Sequence, residues 1–194
     1  MVKTEQIENK EFEERSDYLD ESDLLNWNVS NDYFINIQRE LLGPGSRLLM
    51  GPRGTGKTHQ MRIAHQKCVK EESKPVAIFV SLNKYFYLEP LLTKAPNAIQ
   101  LFHTWVLCKI YIGCYSFLKA CGKEVQILDD NENILLSNLK EFESKAESPY
   151  SSQLDNDTLI QKLNIGKIIS LIETVMSITS RQRALIFLDD AALT

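Results

Sequence analysis

Leu48-Leu49-Met50-Gly51-Pro52-Arg53-Gly54-Thr55-Gly56-Lys57-Thr58-His59 is the stretch on which the fold turns. Its apolar start belongs to Ser46–Met50, a short run with glycine on both sides that reads as a buried strand of a parallel sheet. From Lys57 to about Lys70 the pattern is helical. Between them, glycines let the backbone fold tightly enough that successive N–H groups point inward. The N-terminus of the following helix adds its positive end, so the turn is a cradle for an anion.

Residues 51–58 satisfy G-x-x-x-x-G-K-[ST], the P-loop pattern, at every required position. From average glycine usage, a chance match in a chain of this size is on the order of one in a hundred, and the strand before and helix after lower it. The anion is then the phosphate chain of a nucleoside triphosphate, ATP with Mg2+ by preference. The cofactor-binding candidates are Gly51, Pro52, Arg53, Gly54, Thr55, Gly56, Lys57, Thr58 and His59. Lys57 is placed to reach the β- and γ-phosphates, and the Thr58 hydroxyl to ligate magnesium. Arg53 reads equally well as a phosphate contact or a solvent-facing side chain. His59 and His65 share the helix without a metal-binding spacing, and surface or packing roles suit both.

Outward from the loop, Lys74-Pro75 punctuates the chain before Val76–Ser81, the clearest strand, which completes a strand-helix-strand unit of the kind that pairs in parallel through a crossover. Leu88 to Pro96 reads as a loop. Ile99 to Ala120 reads as a buried helix, with Leu101, Trp105, Cys108, Ile112 and Tyr115 at helical spacing. Asp129 to Ser144 forms an amphipathic helix, Glu147 to Asp157 a loop, and Thr158 to Thr179 a long helix capped by Asn156 or Asp157. Upstream, Trp27, Tyr33, Phe34, Ile37 and Leu41 suggest a short helix that stops at Gly43-Pro44-Gly45.

Ala184–Leu188 is an apolar strand running into Asp189-Asp190. A buried strand would deliver Asp189 to the carboxyl edge of the sheet, where ligands bind in open α/β folds, as the second acid around magnesium. The metal candidates are therefore Thr58 and Asp189. Asp190 is placed to orient or deprotonate the attacking water and, with Lys57, makes the catalytic pair. Asn83-Lys84-Tyr85-Phe86 lacks the Asp two places after Lys that guanine recognition needs, which favours ATP over GTP.

With the P-loop, the second strand and the Asp189-Asp190 strand in view, residues from about Asn31 to Thr194 resemble the first half of an AAA+ or STAND-type ATPase. Gly-Pro-Arg-Gly-Thr-Gly-Lys-Thr and Leu-Asp-Asp-Ala-Ala-Leu-Thr look most like bacterial ATPases of the origin-recognition-complex branch. The resemblance implies a three-layer αβα P-loop NTPase with a parallel sheet, truncated after the Walker B strand. It makes Lys57 and Thr58 the Walker A lysine and magnesium ligand, and Asp189 the Walker B acid. It also sets the segment around Tyr33 to Arg39 beside the adenine. Asp190 stands where many motors carry Glu, which puts fast hydrolysis in doubt. The implied strand order, 5-1-4-3-2, pairs Val76–Ser81 in parallel with Ala184–Leu188 and leaves Ser46–Met50 either apart or collapsed onto the latter. Sensor strand, arginine finger and helical lid have no counterpart here, so protein partners or self-association through such parts are implied rather than seen.

Bulk properties agree. The chain has 194 residues, 43% of them hydrophobic, enough for one ordinary domain. The acidic stretch 1–23 cannot bury enough surface to order itself and reads as a mobile arm, leaving 24–194 as a partial P-loop ATPase domain. A net charge of −4 gives no global field toward nucleic acid or an anionic membrane. The four cysteines make no C-x-x-C pair and no signal peptide opens the chain, so a reduced, cytoplasmic protein is expected. Polar and charged residues within 99–120 argue against a membrane span. Two rival functions are a small-molecule phosphotransferase of the P-loop kinase type and a nucleotide-binding interaction module without turnover. The first would need an arginine-rich lid, yet residues 82–183 hold few arginines.

Overall fold

A computed structural model describes residues 21–26, 28–91, 96–123, 136–148 and 162–190. It divides into two compact units, Met1–Gln66 and Lys67–Thr194, each taken by itself below. Nearly all of the acidic arm lies outside the described residues, as do the proposed caps Asn156 and Asp157.

In the first unit the single expected helix is two, α1 (Glu21–Asn26) and α2 (Asp32–Leu41). Asn31 causes the second start: its backbone is extended, and its side-chain oxygen accepts from the Phe34 N–H at 2.9 Å. Asp32 in the first turn and Arg39 in the last complement the helix dipole.

The expected strand at Ser46–Met50 is not formed. Those residues carry no strand pairing, and Leu48 and Met50 are 81% and 80% exposed. A strand exists only where a neighbour accepts and donates its backbone bonds, and local apolarity cannot supply that neighbour. Helix α3 (Lys57–Lys70) begins where the sequence places it and covers the boundary between the units.

The second unit contains the sheet of the described residues. Strands β1 (Val76–Ser81) and β2 (Ala184–Asp189) pair in parallel, with Val76 opposite Ala184 and Ser81 opposite Asp189. This pairing is the one expected, and Ser46–Met50 does not pair with β1. Two 3-10 turns, Tyr85–Tyr87 and Glu89–Leu91, lead away from β1. Then come α4 (Ala98–Ala120), α5 (Leu136–Ala146) and α6 (Ile165–Ile178). The last starts at Ile165, where Asn164 takes the cap and its Oδ1 accepts from the Lys167 N–H at 3.1 Å; of the longer helix expected from Thr158, Lys162 is helical, Leu163 and Asn164 break it, and residues 158–161 lie outside the described residues. The observed class is α/β with a small parallel sheet.

Helix α4 is the hub, packed against β1, α5 and α6. Leu101, Trp105, Cys108, Tyr111, Cys114, Phe117 and Leu118 are buried along it, while Ile112 and Tyr115 are only half-buried. By length and composition it resembles a membrane span, but half of its most apolar window is already buried inside the protein, which marks a core helix. Gly113 permits its close approach to β1: a Cβ there would lie 2.7 Å from Ile78 Cγ2 and 3.3 Å from the Phe79 carbonyl oxygen.

Two charges, Arg181 buried and Lys109 half-buried, fasten the unit. Arg181, just past α6, donates through Nη1 to the carbonyls of Cys68 and, at 2.9 Å, Pro75, and lies 4.9 Å over the Phe117 ring. Lys109 of α4 pairs with Glu143 at 2.9 Å and with Glu147, and Glu147 also meets Lys84 at 3.1 Å. Burial works against the Lys109 charge, but hydrogen bonds to Glu147 and Glu143 prevail and hold the ammonium above its ordinary value of 10.5.

Candidate functional site

The glycine loop of the first unit closes around one carbonyl. Pro52 O accepts from the Thr55 hydroxyl at 2.8 Å, from the Thr55 N–H at 3.4 Å and from Lys57 Nζ at 2.9 Å. Lys57 Nζ donates as well to Gly51 O at 2.7 Å. The lysine thus folds over the loop's own opening, a stem from α3 arching back across five residues. Gly54 and Gly56 have φ of +85° and +80°, a region L side chains rarely adopt, and nothing lies within 4 Å of a Cβ added at either. Backbone conformation, and not crowding, therefore requires glycine at both positions.

Arg53 and Thr55 sit in the exposed turn, with Pro52 and Gly51 also exposed; Gly56, Lys57, Thr58 and His59 are half-buried as α3 begins. Gln60 N–H donates to Gly56 O at 2.9 Å, a backbone bond that joins the loop exit to the first turn of α3. His59 is held below its usual 6.5, by burial first and by the neighbouring Arg62 charge second, so at neutral pH it adds no positive charge to the cradle. The positive groups of the loop are then Arg53, Lys57 and the helix N-terminus, and this combination suits a polyanion with oxygen acceptors.

The acids of the second unit differ from each other. Asp189 ends β2 and is 3% exposed, whereas Asp190 is exposed and carries φ of +55°. The strand is prolonged by a Leu82 N–H bond to Asp189 O at 2.9 Å. In register with Asp189, Ser81 ends β1, so both side chains stand on the same face of the sheet at its carboxyl edge. Ser81 Oγ is buried and has no hydrogen-bond partner among the described residues. Sequence reasoning passed over Ser81. The signal was there: one hydroxyl closing a run of five apolar residues, Val76 to Val80.

Hydrogen bonds bring together Gly51, Pro52, Thr55 and Lys57, and strand register brings together Ser81 and Asp189. The loop belongs to the first unit and the acids to the second. Among the described residues no cluster of three or more His, Cys, Asp or Glu could hold a metal ion on its own. A magnesium site here would need oxygens from a phosphate chain as well as from protein.

Comparison with curated proteins and with solved structures returned no match. A family model described as ORC-CDC6-like matches residues 12–181, a span that contains the whole glycine loop and stops short of Asp189. The chain belongs to the ORC-CDC6-like family and is an AAA+ ATPase-type nucleotide-binding module.

Proposed function

We propose that the chain binds ATP with Mg2+ through Gly51–His59 and that, within a whole ATPase, it takes part in magnesium-dependent hydrolysis. The observation that carries the reading is the loop itself: Gly54 and Gly56 at positive φ, the N-terminus of α3 behind them, and Lys57 bonded across the opening at 2.7 and 2.9 Å. Those two carbonyl bonds would be exchanged for bonds to β- and γ-phosphate oxygens, which are charged and therefore the stronger acceptors. Thr58 and Asp189 are the proposed protein ligands of magnesium, with Asp190 acting on water. Bound magnesium supplies charge neutralisation between the β- and γ-phosphates.

The same reading makes 24–194 a partial three-layer αβα P-loop domain, 1–23 its acidic arm, and the protein a cytoplasmic one that associates with protein partners or copies of itself. Family membership and the parallel β1–β2 pair support it. A nucleotide-binding switch without turnover is the second reading, favoured by the exposed Asp190 where a longer acid would reach further.

Titration of the purified chain with ATP, ADP and magnesium tests the proposal. Lys57→Ala should weaken ATP binding by about tenfold or more, the worth of one hydrogen bond to a charged group, and weaken ADP binding much less. Equal losses for both nucleotides would remove Lys57 from the γ-phosphate. The isolated chain should turn over ATP barely at all, because an arginine finger is usually worth roughly 10³–10⁵ in rate; turnover near one per second would instead support a complete enzyme.

A further inference from the structure

We propose that Gln38 and Gln60 are positioning residues for the phosphate loop, joined by a buried amide bond that fixes the first turn of α3; the inference rests on the P-loop reading above. Gln38 Nε2 donates to Gln60 Oε1 at 2.7 Å, with the two residues 3% and 4% exposed. Gln38 is the one buried residue of the ten in α2. Phe34, Ile37 and Leu41 around it are half-buried, and Tyr33 and Ile35 point outward at 69% and 46% exposure. The best-buried contact of this helix is therefore polar.

Apolar contacts tolerate sliding by an ångström, but a hydrogen bond weakens steeply with misalignment. Two buried glutamines cost desolvation that an apolar pair would avoid, so what they add is direction rather than strength. Gln60 is where that direction matters. Its backbone N–H bonds Gly56 O at 2.9 Å, at the residue whose φ of +80° turns the loop into the helix. Through its side chain the same residue is held by α2. Lys57 and Thr58 lie within the turn so fixed, and the N–H groups at the head of α3 take their aim from it.

The test uses the 194-residue chain, with inorganic tripolyphosphate and ATP, each with magnesium, as probes. Gln38→Met or Gln60→Met alone strands one buried amide and should lower the melting temperature. The double variant leaves neither amide of this pair facing a lost partner, and its melting temperature should return toward that of the wild type. Positioning predicts that its affinity for both probes nevertheless stays about tenfold weaker, the scale of one lost aligning bond. Recovery of affinity together with stability would overturn the proposal and leave the P-loop reading intact, whereas a wild-type chain that binds neither probe would overturn both. A second measurement needs no variant: the Gln38 side-chain amide resonances should shift when tripolyphosphate saturates the wild-type chain. Resonances that stay still at saturation would also overturn the proposal.

Discussion

Asp189 and Asp190 are chemically identical neighbours that the backbone separates into different environments. Asp189 is buried at the end of β2, with its position fixed by pairing to β1, while Asp190 turns outward at φ of +55°. Asn tolerates both settings, including the left-handed backbone, so Asp→Asn changes isolate chemistry from folding. Asp189→Asn should leave ATP binding with little response to magnesium. Asp190→Asn should leave the magnesium response intact and slow hydrolysis in the whole ATPase. Calorimetric titration with and without magnesium checks the assignment, and the reverse pattern would mean that the magnesium acid is Asp190. Ser81 belongs to the same scale: the sequence shows one hydroxyl closing an apolar run, and strand register opposite Asp189 places that buried hydroxyl beside the proposed magnesium acid.

Elements were legible where their cause is local. Helix α3 and strand β1 have the bounds that the glycine loop, helical pattern and proline punctuation suggest, Lys57–Lys70 and Val76–Ser81. At Asn164 a new helix starts although the apolar period of the sequence runs on through Leu163, because one side-chain bond to the Lys167 N–H competes with continued helix. Ser46–Met50 misled for the opposite reason: its apolar residues are necessary for a buried strand but its partner is a tertiary fact. The Gln38–Gln60 bond was equally hidden, since glutamine on an amphipathic helix reads as surface. Gly113 joins the two levels, being an unremarked residue of an apolar helix until its distance from Ile78 is known. Gly113→Ala gains about 1 kcal/mol of helix propensity but drives a methyl to within 2.7 Å of Ile78 Cγ2, and overpacking typically costs about 1–3 kcal/mol. A net loss of about 1 kcal/mol in urea unfolding is expected. Unchanged or raised stability would show that α4 can lift from β1 without penalty.

At the scale of the whole molecule, burial of ionisable groups sets a limit on the alkaline side. Burial pushes the Cys108 and Cys114 thiols up to about 12 and Cys68 up to about 11, against an ordinary value of 9.0, and Cys121 moves in the same direction for the same first cause. Lys109 is also raised, through Glu147 and Glu143 against its burial. Every one of these groups holds its proton more tightly folded than unfolded. Below the unfolded value both states are equally protonated and the stabilisation is complete; above it the unfolded chain releases protons that the folded chain keeps, so stability falls as pH rises toward the folded values. The loss should begin near pH 9, where the thiols of the unfolded chain titrate. By pH 10 it should reach about 1 kcal/mol for each deeply buried thiol. Urea midpoints at pH 7.5, 9 and 10 measure it. Cys108→Ala with Cys114→Ala removes two of the groups, and whatever that costs at pH 7.5, the decline from there to pH 10 should be shallower than in the wild type. A decline of the same steepness would place the alkaline sensitivity in groups other than these thiols.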